Sequence, residues 1–249
     1  MKATKDNFSE QAASYARYRP TYPEALYTYV LEQVPHRQRA WDCGTGNGQV
    51  AVRLAENFEE VYATDISEQQ LAYAIRKPNI HYLVSRAEQS PLPAQCVQLV
   101  TVAQAIHWFD LEHFYKEVRR VAEPGAVVAA WCYGMLEISP ELDEHLSRFY
   151  FHTLGPYWDK ERQLIDEGYS TIPFPFEEFT APAFSINCNW DLHDLTGYLN
   201  SWSSVRKYIR ARNEDPVTAL VQQLKPYWED AQEKKPINFP LHMRIGRVV

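Results

Sequence analysis

Trp41-Asp42-Cys43-Gly44-Thr45-Gly46-Asn47-Gly48-Gln49 reads as the end of a strand, a turn with three glycines at alternate positions, and the start of a helix. Glycine admits backbone angles closed to other residues, and its missing Cβ lets a ligand lie directly on the main chain. The turn opens a helix, whose free N–H groups favour negative or electron-rich groups. Val61-Tyr62-Ala63-Thr64-Asp65 follows as a second strand-like run ending in a carboxylate. In a doubly wound sheet an acid at that point accepts ribose hydroxyls. Asp42, at the end of the first strand, can fix the turn or receive an ammonium group through water.

Outward from the turn, strands and helices alternate. Upstream, the pattern predicts helices over Ser9–Tyr18, with Phe8, Ala12 and Tyr15 at helical spacing, and over Pro23–Val34, with Leu26, Val30 and Val34 on one face. Strands are predicted at Arg39–Cys43, Val61–Asp65, Ile80–Val84, Val97–Ala103 and Ala126–Cys132. Helices are predicted at Gln49–Asn57, at Glu68–Arg76, and from an Asp110 N-cap through Val121. Such alternation marks a parallel sheet covered on both faces. Residues 135–177 are rich in Tyr, Phe, Pro and acids, with Pro140, Pro156, Pro173 and Pro175 interrupting any long helix. They read as an insertion capping the site. Extended chain over Phe179–Trp190, helices over Leu195–Ile209 and Val217–Trp228, and a strand over Ile237–Val249 complete a mostly parallel, seven-stranded α/β sheet. The expected organisation is a single domain spanning 1–249. It comprises a helical lid (1–37), a ligand-binding core (38–134), the cap (135–177), and C-terminal strands and helices (178–249).

Composition narrows the field. The chain has 249 residues and a formal net charge of −7 with no long basic tract, against an electrostatic footprint for nucleic acid. Arg206, Lys207, Arg210 and Arg212 share a helix-like stretch and read as a solvated surface. Cys43, Cys96, Cys132 and Cys188 are scattered without a C-x-x-C pair, so no metal site and no disulfide framework is expected. The polar N-terminus lacks the apolar core of a signal peptide, and no stretch approaches the roughly 18 apolar residues of a membrane span. A cytoplasmic chain with no membrane partner is the expectation; the oligomeric state is left open.

The pattern D-x-G-x-G-x-G at Asp42–Gly48 resembles the first motif of the class I methyltransferases that use S-adenosylmethionine. The nicotinamide fingerprint G-x-G-x-x-G places its third glycine one residue later. Three further segments, Tyr15-Ala16-Arg17-Tyr18-Arg19-Pro20-Thr21-Tyr22-Pro23, Gln104-Ala105-Ile106-His107-Trp108-Phe109-Asp110 and Ser201-Trp202-Ser203, resemble the small-molecule branch typified by trans-aconitate methyltransferase-like proteins. The resemblance implies that Gly44, Thr45, Gly46 and Gly48 hold the methionine part of S-adenosylmethionine, with Asp42 among the donor-binding residues. It further implies that Asp65 takes the ribose, that Ile66 packs beside the adenine, and that Ala87-Glu88 meets the adenine edge. Many relatives carry Asp where this chain has Arg86, which leaves the adenine amino contact to Glu88 or to the main chain. Gln104 falls where relatives contact the methionine moiety. Tyr15, Tyr18 and Arg19 would fold over the donor, Arg19 facing its carboxylate.

For the acceptor, His107 and Trp108 follow the fourth strand, on the edge where open α/β sheets bind ligands. A neutral imidazole there could take a proton from an attacking hydroxyl or amine. Alternatively, His107 bonds a neighbouring main-chain group and Trp108 is a wall. The expected function is methyl transfer to a small molecule, leaving S-adenosylhomocysteine. A non-catalytic protein that binds S-adenosylmethionine is the alternative. A nucleic-acid methyltransferase is disfavoured, because the fourth strand ends in neither an Asn/Asp-Pro-Pro-aromatic segment nor a Pro-Cys nucleophile.

Overall fold

In the computed structural model, which describes residues 18–249, the side chains of the long central strands alternate between two apolar layers. Val127, Ala129, Trp131 and Tyr133 enter one layer, and Val128, Ala130 and Cys132 the other. That period of two, with both sides buried, is what a sheet sandwiched between helices requires.

The elements run α1 (Glu24–Glu32), β1 (Arg39–Cys43), α2 (Gln49–Leu54), β2 (Glu60–Asp65), α3 (Glu68–Ala72), β3 (Ile80–Val84), β4 (Val97–Ala103), α4 (Leu111–Val121) and β5 (Ala122–Tyr133). They continue with α5 (Pro140–Arg148), α6 (Gln163–Asp166), β6 (Glu177–Glu178), β7 (Phe184–Trp190), α7 (Leu192–Asn200), α8 (Ser203–Arg212), α9 (Pro216–Trp228) and β8 (Lys235–Arg247). The sheet order is β3-β2-β1-β4-β5-β8, and both β6 and β7 pair with β8. The first five strands are parallel to one another; β8 runs antiparallel to β5. This is the doubly wound, mostly parallel Rossmann-like methyltransferase architecture. Leu26 and Val30 of α1 and Val50 and Leu54 of α2 cover one face, while Phe114 and Val118 of α4 cover the other.

Strand order reverses between β1 and β4, and a crevice outside the carboxyl ends of those strands is where such sheets take ligands. The Gly44–Gly48 turn leaves the end of β1, and Gln104 the end of β4.

Several boundaries differ from expectation. The sheet has an eighth, two-residue strand, β6, because β8 is long enough to pair β7 along its first half and β6 near its end. The helix expected over Leu195–Ile209 is two helices, broken at Ser201-Trp202 with Trp202 in an extended conformation. Pro23 is the N-cap of α1 rather than its first helical residue. Asp110 caps α4 as expected, its carboxylate accepting His113 N at 3.4 Å. The helix expected over Ser9–Tyr18, with Tyr15, lies outside the described residues except for Tyr18. Cys43, Cys96, Cys132 and Cys188 are all free thiols. No helix among the described residues is long and apolar enough to cross a membrane.

Candidate functional site

The glycine turn is docked on the neighbouring strand: Gly44 N and Thr45 N both donate to Thr64 O, at 2.8 and 3.0 Å. Gly44, Gly46 and Gly48 all have positive φ, at 71°, 56° and 82°. Their surroundings differ. A Cβ on Gly44 would lie 2.6 Å from Ala105 Cβ, and one on Gly48 would lie 2.2 Å from the Tyr82 hydroxyl. One on Gly46 would meet nothing nearer than 3.9 Å. Packing therefore demands the outer two glycines, while among the described residues nothing crowds the middle one, which leaves room for a ligand.

Asp42 braces this turn from below. It is 1% exposed, and its carboxylate accepts the hydroxyls of Thr45 and Thr101, the latter at 2.8 Å. Burial pushes its carboxyl up to about 6, against the opposing pull of those two hydroxyls. Of its two expected roles, the structure displays the fixing of the turn.

Asp65 ends β2. Its Oδ2 accepts Gly46 N at 2.8 Å and its Oδ1 accepts Ser67 N at 2.9 Å. A carboxylate can accept several donors at once, the chemistry that vicinal hydroxyls require. Ile66 beside it is 36% exposed. Ala87 is buried, whereas the Glu88 carboxylate is already engaged, accepting Asp110 N at 2.9 Å and Arg86 Nε at 3.3 Å. Arg86 and Glu88 thus form a pair that ties the loop after β3 to the start of α4.

Gln104 takes a left-handed conformation (φ 54°) directly after β4, a sparsely populated region for a non-glycine residue. Its N donates to Trp131 O at 2.9 Å and its Nε2 to Tyr133 O at 3.3 Å. Its Oε1 is buried and has no hydrogen-bond partner among the described residues. A buried acceptor without a donor costs free energy, so a ligand ammonium or hydroxyl would be welcome there. Arg19 lies close by, with Nη1 donating to Tyr133 Oη at 2.7 Å and the guanidinium over the Tyr198 ring at 5.4 Å. Tyr18 packs instead on α7, so tightly that a Cβ on Gly197 would fall 2.3 Å from its ring.

A cavity adjoins these groups. Arg19, Gln104, His107, Trp108, Trp158, Asp159, Arg162, Ile165, Trp202 and Ser203 line it. It is therefore built from the stretch before α1, the end of β4, the segment after α5, and the break between α7 and α8. His107, in a 3₁₀ turn over Ile106–Trp108, is buried and its Nδ1 stands 2.9 Å from Tyr169 Oη. No motif or spacing marks Tyr169 or Arg162 as site residues. Trp158 was one of many aromatics in its segment, and Trp202 was legible only as part of Ser201-Trp202-Ser203. Lys207, expected on a solvated face, is paired with Asp159 of the cavity at 2.5 Å. A wider hollow lined by Pro35, Arg37, Gln98 and Glu123 lies at the amino ends of the strands, remote from Asp65 and Gln104. Among the described residues, no group of three or more His, Cys, Asp or Glu could hold a metal ion.

The open cradle at Gly46, the carboxylate of Asp65 and the unpaired oxygen of Gln104 fit the ribose and amino-acid parts of S-adenosylmethionine. A methyltransferase-family protein of Dictyostelium discoideum is 34% identical over 249 residues, spanning 97% of this chain and 95% of the relative. This chain belongs to the class I S-adenosylmethionine-dependent methyltransferases. A family profile described as "Methyltransferase domain" matches the methyltransferase over residues 41–130, from β1 into β5. A solved structure of a type II methyltransferase-family protein from Anaeromyxobacter dehalogenans is 41% identical, with a TM-score of 0.86 over 92% of this methyltransferase and 98% of that chain. Methyltransferase cfoB of Aspergillus candidus is 28% identical over 262 residues, covering 91% and 80% of the two chains.

Proposed function

We propose that this methyltransferase transfers the methyl group of S-adenosylmethionine to a small organic molecule held in the cavity beyond Gln104. The observation that carries the proposal is the enclosure of that cavity by Trp108, Trp158 and Trp202, beside Gln104 and Arg19. Small-molecule sites are concave and largely aromatic, with few polar anchors. The net charge of −7 points the same way, away from nucleic acid.

In this reading Gly44, Thr45, Gly46 and Gly48 form the bed for the methionine part, Asp65 receives the ribose, and Ile66 and Ala87 flank the adenine. Glu88, being engaged with Asp110 and Arg86, acts by shaping the adenine edge. Gln104 Oε1 accepts from the amino group, and Arg19 faces the carboxylate, with Tyr18 holding the N-terminal stretch to α7. The bound donor supplies a methyl group already activated on a sulfonium, so the reaction asks the protein mainly for alignment. Trp108 walls the acceptor. His107, steadied by Tyr169, positions the acceptor's hydroxyl or amine and takes its proton where one must leave. The motifs around Arg19, Gln104 and Trp202 support placement in the trans-aconitate methyltransferase-like branch. Residues 1–249 are read as one domain, with 1–37 as lid and 135–177 as cap, and a cytoplasmic setting suits it.

The test is incubation of the protein with methyl-labelled S-adenosylmethionine and a cell extract separated into low-mass and macromolecular fractions. Label is expected in the low-mass fraction; label confined to nucleic acid or protein would overturn the small-molecule assignment.

A further inference from the structure

Arg162 ends the 3₁₀ turn Lys160–Arg162 before α6, and its side chain is 17% exposed. Its Nε donates to Tyr150 Oη at 2.8 Å, and that hydroxyl donates onward to Asp166 Oδ1 at 2.6 Å. Tyr150 lies in a π-helical stretch, Phe149–Thr153, a local geometry often found at functional sites. The guanidinium lies over the Trp158 ring at 5.0 Å and the Tyr150 ring at 5.6 Å. The closest carboxylate oxygen, on Asp166, stands at 3.9 Å, beyond hydrogen-bond reach. Burial also raises the Asp166 carboxyl, which weakens it as a counter-ion. The cavity's own carboxylate, Asp159, is matched by Lys207.

Among the described residues, the cavity therefore holds two guanidinium groups, Arg19 and Arg162, and a carboxylate, Asp159, that is paired with Lys207, in a chain of net charge −7. A guanidinium kept among indole and phenol rings is costly unless an oxyanion meets it. Its planar fork suits a carboxylate or phosphate held through two parallel N–H bonds.

We propose that Arg162 is the recognition residue for an oxyanionic group on the methyl acceptor, whose apolar body lies among Trp108, Trp158 and Trp202. The inference rests on the small-molecule reading above and sharpens it to a class of substrate: small organic anions. Arg19, beside Gln104, serves the donor's carboxylate; Arg162, from the segment after β5, serves the acceptor. The anion is a handle that sets the acceptor's orientation.

The experiment is calorimetric titration of the parent, Arg162→Gln and Arg162→Lys, each saturated with S-adenosylhomocysteine. The probes are benzoate, cinnamate and phenyl phosphate, with benzamide and cinnamamide as uncharged counterparts. At least one anion is expected to bind the parent about tenfold or more tightly than its uncharged counterpart. That advantage should fall about tenfold in Arg162→Gln and return in part in Arg162→Lys, with S-adenosylhomocysteine affinity unchanged throughout. The preference between carboxylate and phosphate then identifies the anion. Equal binding of acid and amide by the parent, no binding of any anion, or a loss of S-adenosylhomocysteine affinity in Arg162→Gln would each overturn the assignment. Should Arg162→Gln not fold, Arg162→Lys supplies the comparison: an acid-to-amide advantage undiminished by loss of the planar fork would overturn the assignment. Failure of the parent to bind S-adenosylhomocysteine is a separate result that strikes the donor reading, and the same comparison without it still tests the anion site.

Discussion

Tyr169 Oη lies 2.9 Å from His107 Nδ1, so the segment after β5 reaches back to the end of β4 and holds the imidazole at the cavity wall. Tyr169 is fully buried and has φ 59°, a conformation that costs a non-glycine residue on the order of 1–2 kcal/mol. Arg244 secures it from the other side, donating from Nη1 to Tyr169 O at 2.9 Å while gripping the Glu178 carboxylate. Strain held in place from two directions is typical of positions with a functional task.

Removing that hydroxyl separates positioning from binding. Tyr169→Phe is expected to lower stability by about 1–2 kcal/mol and to reduce turnover while leaving S-adenosylhomocysteine affinity unchanged. His107→Ala should reduce turnover further and flatten the acidic limb of the rate profile. Steady-state kinetics across pH, with calorimetry for the product, check both; a parent-like profile in His107→Ala would reduce the residue to a wall.

Two glycines of the turn should respond differently to the same change. Gly44→Ala places a methyl 2.6 Å from Ala105 Cβ, a rigid neighbour, and is expected to cost about 2–4 kcal/mol of stability. Gly46→Ala meets no close atom among the described residues, so its cost is the backbone term of about 1–2 kcal/mol, yet in the proposed reading its methyl enters the donor's bed. Denaturant melts should show the large loss in Gly44→Ala, and titration should show the loss of donor affinity in Gly46→Ala.

Asp65 holds the turn and, in the proposed reading, also receives the donor's ribose. Asp65→Ala removes the acceptor for Gly46 N and Ser67 N and should cost about 1–2 kcal/mol of stability, with a further loss of about 1–3 kcal/mol in donor binding. Asp65→Asn keeps one acceptor oxygen and should fall between the parent and Asp65→Ala in both measurements.

The buried Asp42 carboxyl predicts a pH dependence of known sign. Its folded-state value of about 6 lies above the usual carboxylate range, so the folded protein favours the protonated form. The contribution is fully present below about pH 4 and is lost as pH rises through about 6, with a full weight of roughly 3 kcal/mol. In Asp42→Asn this term is absent. The stability difference between parent and variant should therefore shift toward the variant from pH 4 to 7, as chemical melts at a series of pH values would record.

Local chemistry made the sheet and the glycine turn readable in advance. The three glycines, Asp65 at a strand end and the Asp110 cap each act within a few residues of themselves, and all stand where the sequence placed them. The cavity was harder to foresee because its parts meet only through tertiary contact. Arg162 is separated from Gln104 by 58 positions in the chain (162 less 104) and carries no spacing that marks it. Tyr169 reaches His107 across 62 residues. Lys207 looked like one cation on an exposed helix until Asp159 of a different segment came to lie against it. Trp202 interrupts what its neighbours' periodicity reads as one helix, and that break is what turns its ring into the cavity.

The central claim, that the Gly44–Gly48 turn and Asp65 together hold S-adenosylmethionine, is met most directly by calorimetric titration of the intact chain with S-adenosylhomocysteine. Saturable binding of one equivalent is predicted, sharply weakened in Gly46→Ala and preserved in Arg162→Gln. A folded parent chain that takes up no S-adenosylhomocysteine, or whose uptake is indifferent to Gly46→Ala, would contradict it.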